Sequence, residues 1–281
     1  MDEKTKLYLK KQAVQVRKDI IVEVYNAQSG HPGGSLSVTD MLTYLYFYKM
    51  NIDPKNPKWE DRDRFVLSKG HTAPALYACL AEKGYFDKSE LLKLRKTGAM
   101  LQGHPDMKGT PGIDMSTGSL GQGISTAVGM ALGGKLTHKD YMVYCVCGDG
   151  EIEEGQVWEA AMAAAQYGLD NLIAVVDNND LQIDGRPDEV MSIYPIPDKF
   201  KAFGWNVTEC DAHDFDSIDR AFELAKEKNG KPWVIIQKSI KGKGVSFMED
   251  VASWHGTAPK KDQYELAMEE LDRARAELEE K

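Results

Sequence analysis

An apolar run ends at Gly148-Asp149-Gly150, and Glu151, Glu153 and Glu154 follow directly. A second apolar run, NLIAVVDN, ends in Asp177, Asn178 and Asn179. If the two runs are adjacent parallel strands, Asp149 and the asparagines meet at one sheet edge. Open parallel sheets bind ligands there, beyond the carboxyl ends of their strands. One carboxylate, one amide oxygen and one backbone carbonyl make a partial set of hard oxygen ligands. Mg²⁺ takes about six and commonly draws the rest from phosphate and water. A half-built site of this kind implies a phosphorylated ligand. Gly148 and Gly150 let backbone N–H groups approach such a phosphate. Glu154 opens the following helix, where the dipole favours a carboxylate. A lone Gly-Asp-Gly is also an ordinary tight turn, so the second run carries the weight of the argument.

The chain has six histidines. His138 and His213 lie in polar stretches and read as surface residues. The other four sit in loops marked by glycine or proline: SGHPGG (His31), LSKGHTAPALYA (His71), LQGHPDMKGTPGID (His104) and SWHGTAP (His255). Imidazoles in pre-shaped loops are suited to proton transfer and to binding hydroxyl or phosphate groups.

Strands and helices must bring these loops together. YMVYCVC, NLIAVVDN and PWVIIQKS are apolar and β-branched without alternation, as parallel strands covered on both faces are. RFVLSKGH and WNVTEC read as further short strands. An apolar stripe predicts a helix over residues 4–28, ended by Gly30. HPGGSLSVTD reads as a loop into a helix over residues 38–48. Helices are also predicted over TAPALYACLAEKGY, LGQGISTAVGMALGGKL, residues 155–167 and residues 214–228. Strand and helix alternate, which predicts an α/β fold with a mostly parallel sheet flanked by helices. Residues 1–258 form one domain on this reading. Residues 259–281 form a charged C-terminal helix whose apolar face, Tyr264, Met268, Leu271, Ala274 and Leu278, docks on it. There is no internal repeat or low-complexity segment.

The 281 residues, 42% of them hydrophobic, suffice for a sizeable core. A net charge of −9 argues against nucleic acid or an anionic membrane as partner. No apolar run approaches the roughly 18 residues of a membrane span. The N-terminus lacks the apolar core of a secretory signal. Of the four cysteines, Cys79 and Cys210 are isolated, and Cys145 and Cys147 share one face of a strand without a second pair for zinc. Free buried thiols and a cytoplasmic location are expected.

Gly-Asp-Gly, followed thirty residues after the Asp by the second Asn of a pair, resembles the thiamine diphosphate motif. The resemblance makes Asp149, Asn179 and the backbone carbonyl of Leu181 ligands of Mg²⁺, replaceable by Ca²⁺ or Mn²⁺, against the cofactor diphosphate. With STGSLGQGISTAVGMA and the four histidine loops, the chain is similar to transketolase from His31 to His255, in family order. The resemblance implies the thiamine diphosphate-binding fold. It gives His71 a contact to the diphosphate and makes His255 a bridge between diphosphate and substrate. His31 and His104 become substrate-side groups that bind hydroxyls and move protons. Gly118, Ser119 and Leu120 match the segment against the aminopyrimidine. Gly150 matches the glycine whose amide meets diphosphate, and Glu154 a glutamate linking two active sites across a dimer. The family often has Pro at Ser119 and Ile at Leu181; both positions act through backbone.

Transketolase chains are usually more than twice this length, and this one matches only the diphosphate-binding domain. The family's activating glutamate and its sugar-phosphate ligands lie beyond that domain. The resemblance therefore implies a transferase subunit, active with a partner carrying the pyrimidine-binding and C-terminal domains, as an α2β2 heterotetramer. Met1 and the terminal helix favour a natural subunit over an excised fragment. The implied reaction moves a two-carbon ketol unit from a ketose phosphate to an aldose phosphate, as in the pentose phosphate pathway. Alternatives are a specialised transketolase-like subunit, a deoxyxylulose-phosphate-synthase-like subunit, or a cofactor-binding regulatory subunit without turnover.

Overall fold

The computed structural model describes residues 1–280. Its centre is a five-stranded, wholly parallel sheet in the order β1-β2-β3-β5-β4. The strands are β1 (Arg64–Leu67), β2 (Val143–Gly148), β3 (Leu172–Asn178), β4 (Asn206–Asp211) and β5 (Trp233–Lys238). The helices are α1 (Glu3–Ala27), α2 (Pro32–Ser37), α3 (Thr39–Tyr44), α4 (Ala73–Lys83), α5 (Gln122–Leu136), α6 (Gly155–Gln166), α7 (Pro187–Val190), α8 (Ile196–Ala202), α9 (Phe215–Leu224) and α10 (Lys261–Glu279). This is the α/β architecture expected from the alternation of runs.

Each face of the sheet carries its own apolar core. Tyr144, Val146, Ile173, Val175 and Ile235 pack with α1, α3, α4 and α9. Val143, Cys145, Cys147, Leu172, Ala174, Val176, Val234 and Ile236 pack with α5, α6 and α8. Burial on both sides is why these strands show no polar alternation. Cys145 and Cys147 share a face as expected, their sulfurs 4.0 Å apart, and all four thiols are free and buried.

One expected loop is a helix. The segment after His31 winds into α2, with Pro32 in its first turn, where a missing N–H costs nothing. The Ser35 hydroxyl donates to the His31 carbonyl at 2.7 Å. Its two glycines allow close packing: a Cβ on Gly34 would lie 2.9 Å from Thr72 Cγ2, and one on Gly33 2.9 Å from the Trp254 carbonyl. The glycines that suggested a loop are there for contact. The helix predicted over residues 38–48 is α3 continued by one π-helical turn, Leu45–Lys49.

The charged helix α10 lies along α1, with Tyr264 stacked on Tyr25 at 4.1 Å and Ala267 and Leu271 buried. Leu271, 1% exposed, packs into the core that supports α1 and α3. Leu271→Ala should lower unfolding free energy by about 2–4 kcal/mol in denaturant titration. A change below about 0.5 kcal/mol, the range of a neutral surface substitution, would show α10 to be a loosely attached appendage.

Candidate active site

Four of the five strands deliver a functional group at or just past their carboxyl ends. β1 runs into Ser68, Lys69 and a 3₁₀ turn, Gly70–Thr72, that carries His71. β2 ends on Gly148 and Asp149; β3 is followed by Asn179 and Leu181; the loop after β5 carries Lys241. Lys69, His71, Gly148, Asp149, Asn179, Leu181 and Lys241, together with His31, Gly118, Leu120 and His255, line one cavity of about 310 Å³.

Asp177, at the end of β3, is 0% exposed and joins four elements. It pairs with Lys69 and accepts from the Ser37 hydroxyl (2.6 Å), Gln237 Nε2 (2.7 Å), the Ser239 hydroxyl and Asn179 Nδ2 (3.3 Å). Burial alone would raise its pKa. The Lys69 charge and the donated hydrogen bonds outweigh burial and hold the carboxyl well below the usual carboxylate range.

Asp149 shows the opposite balance. Burial, and then the neighbouring Asp177 charge, push its carboxyl up to about 6. This happens despite N–H donors from Gly150 (2.9 Å) and Asp180 (2.7 Å). Asn179 spends its NH₂ on Asp177, which turns Oδ1 away; that oxygen is buried without a partner. An unpaired buried carbonyl-type oxygen costs about 1–3 kcal/mol, which a cation beside it would remove. The Leu181 carbonyl faces the same cavity and accepts from Lys241 Nζ at 2.8 Å. The donor set fits a hard divalent ion that takes its remaining oxygens from a ligand. Among the described residues no three His, Cys, Asp or Glu side chains cluster to hold a metal by themselves.

The four loop histidines converge. The His31 ring lies 5.2 Å from His71, 5.4 Å from His255 and 6.4 Å from His104, and His71 stacks on His255 at 5.1 Å. Burial, then nearby positive charge, lowers all four: His31 to about 4, His255 to about 3, His71 well below its ordinary value, and His104 downward. All four are neutral at pH 7 and able both to accept and to donate. Lys241 Nζ is 3.0 Å from His255 Nδ1; the ammonium donates, so Nδ1 accepts and the ring proton sits on Nε2. Burial lowers Lys241 itself to about 8. The Tyr77 hydroxyl binds the carbonyls of Gln102 and His104, tethering the His104 loop to α4. Gly118, at φ +141°, lies against that ring: a Cβ there would meet His104 Cδ2 at 2.8 Å.

The other predicted residues divide between the cavity and the surface. Leu120 lines the cavity, whereas Ser119 is exposed beside it. The Gly150 amide is taken by Asp149 Oδ1. Glu154 is exposed at the start of α6, outside the cavity. Glu151, to which the sequence assigned nothing, is a buried brace. It accepts from the Ser68 hydroxyl and from the amides of Gly121 and Gly148, both at 2.9 Å. His213, read as a surface residue, is mostly buried between Asp40 of α3 and the backbone of Ile240. Sequence reasoning missed Lys69, Asp177 as a hub, and Lys241. The signal for both lysines was their place directly before a glycine just past an apolar strand, in LSKGH and SIKGKG.

A parallel sheet whose carboxyl edge gathers two lysines, and whose loops add four neutral imidazoles, is suited to binding an anionic ligand such as a diphosphate. Residues 9–276 match the transketolase thiamine diphosphate binding domain. The chain belongs to the transketolase family, as an N-terminal, thiamine diphosphate-binding subunit of a transferase. It is 49% identical to the 6-deoxy-6-sulfo-D-fructose transketolase subunit of Clostridium sp. (strain MSTE9) over 265 residues, 94% of this chain and 96% of that one. It is 45% identical to an apulose-4-phosphate transketolase subunit of Phocaeicola vulgatus, covering 96% of both chains. Human transketolase is 43% identical over 266 residues, but this chain covers only 42% of it. The crystal structure of transketolase from Campylobacter jejuni superposes with a TM-score of 0.90 at 31% identity, over 99% of this chain and 46% of that one. The chain thus spans under half of whole transketolases and nearly all of the separate subunits.

Lys69→Met would leave Asp177 a buried, uncompensated charge and should cost about 3–5 kcal/mol. Adding Asp177→Asn should recover a large part of that loss. Equal instability of the single and double variants in denaturant titration would refute the pairing as the source of the cost.

Proposed function

We propose that this chain supplies the diphosphate-binding half of a two-chain transketolase. A partner subunit with the pyrimidine-binding and C-terminal domains supplies the rest, in an α2β2 assembly. The observation that carries the reading is the buried, unpartnered Oδ1 of Asn179 beside the Asp149 carboxylate. A cation there would give that oxygen a partner, and a phosphate would complete the cation's ligands. Residues 1–258 form the half-site domain on this reading, and residues 259–281 its terminal helix.

Asp149, Asn179 Oδ1 and the Leu181 carbonyl would hold Mg²⁺, with Ca²⁺ or Mn²⁺ as substitutes. Lys69, Lys241, His71, His255 and the Gly150 amide would face the diphosphate, and Gly118, Ser119 and Leu120 the pyrimidine end. Thiamine diphosphate, when bound, supplies the electron sink for breaking a ketose carbon–carbon bond. His31 and His255, both neutral, can take the hydroxyl proton released in that cleavage and return it to the product. His104, at the outer side of the cluster, binds the terminal hydroxyl of the two-carbon unit. Exposed Glu154 faces a second active site across the subunit interface.

The substrates are a donor ketose and an acceptor aldose, each with an anionic end that the partner binds. The relatives named for 6-deoxy-6-sulfo-D-fructose and apulose 4-phosphate favour a specialised donor over general pentose phosphate exchange. A cytoplasmic location is part of the proposal, supported by the free thiols. Among the described residues no helix is long and apolar enough to cross a membrane.

Two experiments test this reading. In calorimetry, Asp149→Ala should abolish Mg²⁺-dependent binding of thiamine diphosphate; unchanged affinity would rule out the metal assignment. A proton competes with the cation for Asp149, so wild-type affinity should fall as pH drops through about 6. Without cation the stability effect runs the other way. A carboxyl raised from 3.8 to about 6 contributes stability that is full below 3.8 and lost as pH rises through 6. Second, the chain alone should turn over none of a ketose phosphate and aldose phosphate pair, and should turn over both once the partner is added. Full activity alone would overturn the two-chain proposal. In the complex, His31→Ala should lower kcat by about 10²-fold or more; an unchanged rate would favour a regulatory subunit.

A further inference from the structure

Behind the cavity runs a buried polar chain that the proposed chemistry does not use. Arg17 of α1 grips Asp40 of α3 with both terminal nitrogens, Nη1 to Oδ1 at 3.1 Å and Nη2 to Oδ2 at 2.5 Å. Its Nε donates to the Lys243 carbonyl at 3.0 Å. Asp40 Oδ2 lies 2.8 Å from His213 Nδ1, and His213 Nε2 accepts the Ile240 N–H at 2.9 Å. A backbone N–H can only donate, so Nε2 carries the lone pair and the ring proton sits on Nδ1, facing Asp40. The ring fits this place only as that neutral tautomer.

Both contacts to the loop, at Ile240 and Lys243, flank Lys241. Two further bonds fix the intervening backbone: Gly242 N–H to the Gly33 carbonyl at 2.9 Å, and Asp250 N–H to the Lys241 carbonyl at 3.0 Å. Gly242 holds φ +78°, and a Cβ there would come within 2.2 Å of the Met248 carbonyl, so the turn has no slack. Lys241 is 1% exposed, with Nζ between the Leu181 carbonyl and His255. A lysine side chain carries about 2 kcal/mol of rotamer entropy, so its ammonium holds one position only where the stem is anchored.

We propose that His213 is a positioning residue: with Arg17 and Asp40 it anchors the backbone of residues 240–243 and so aims the Lys241 ammonium into the cavity. The anchoring stands on geometry alone. Its effect on cofactor affinity rests on the reading of the cavity given under Proposed function.

The full-length chain serves for the test. His213→Phe fills the site without a donor or acceptor, and His213→Gln keeps one of each. Lysine acetylation by acetic anhydride, read by mass spectrometry, reports whether Lys241 stays sequestered. In His213→Phe, labelling of Lys241 should rise about tenfold or more through local opening. Lys69, locked to Asp177, should stay protected, and His213→Gln should behave as wild type. Calorimetry with thiamine diphosphate and Mg²⁺ should show about tenfold weaker binding for His213→Phe. In a Lys241→Met background the same change should matter less than about twofold, since the two act through one contact. Unchanged Lys241 labelling, equal labelling of Lys69 and Lys241, or additive losses in the double variant would each overturn the proposal. Should His213→Phe not fold, Asp40→Asn should give the same Lys241-selective labelling at a lower level. A wild-type chain that binds no thiamine diphosphate would sink the cavity reading, while the labelling still decides the role of His213.

Discussion

Lys69 and Asp177 face each other with no access to water, at the carboxyl edge of the sheet. Removing two ions from solvent costs several kcal/mol each, and such a pair persists only where further hydrogen bonds complete it. Here Ser37 comes from α2, Gln237 and Ser239 from the end of β5, and Asn179 from the turn after β3. The pair therefore draws one helix and three strand ends to a point. It also shapes its neighbours. Asn179 turns its NH₂ toward Asp177, and its Oδ1 is left buried without a donor. Burial, and then the Asp177 charge, raise the Asp149 carboxyl.

Lys69 and Lys241 line the cavity together with Asp149, Glu151 and Asp184. The imidazoles add no charge, because burial and nearby positive charge keep them neutral. The same neutrality suits the imidazoles to proton transfer, since each retains one donor and one acceptor nitrogen. The buried brace of Glu151 beneath the Gly148-Asp149-Gly150 turn holds that turn through backbone amides. The acidic cluster around that turn is therefore divided in role: Asp149 faces the cavity, Glu151 supports it from below, and Glu154 stands outside.

Ile183 is 68% exposed at the rim of the cavity, and Ser119 and Glu154 are exposed as well. Whole transketolases, of which this chain covers under half, continue beyond the matched region. The subunits it matches over nearly their full length do not.

Local information in the chain settled a good deal. Three apolar runs and two shorter segments became five strands; for the three runs, continuous β-branched burial has few other solutions. Asp149, Asn179 and the four loop histidines could be named, because glycine and proline punctuation marks where the chain stops and presents a side chain. Three things waited for the tertiary structure. The glycines of α2 signalled a loop, yet they serve close approach to Thr72 and Trp254, which no local pattern encodes. His213 sits in a polar stretch and looked solvated, yet Asp40, 173 positions away, encloses it. Lys69 and Lys241 went unmarked in the sequence, and it is Asp177 and the Leu181 carbonyl at their tips that give them a role. A charged side chain declares its role only through its partner. Partners distant in sequence are chosen by strand order and by which loops share a sheet edge, and those are properties of the whole fold.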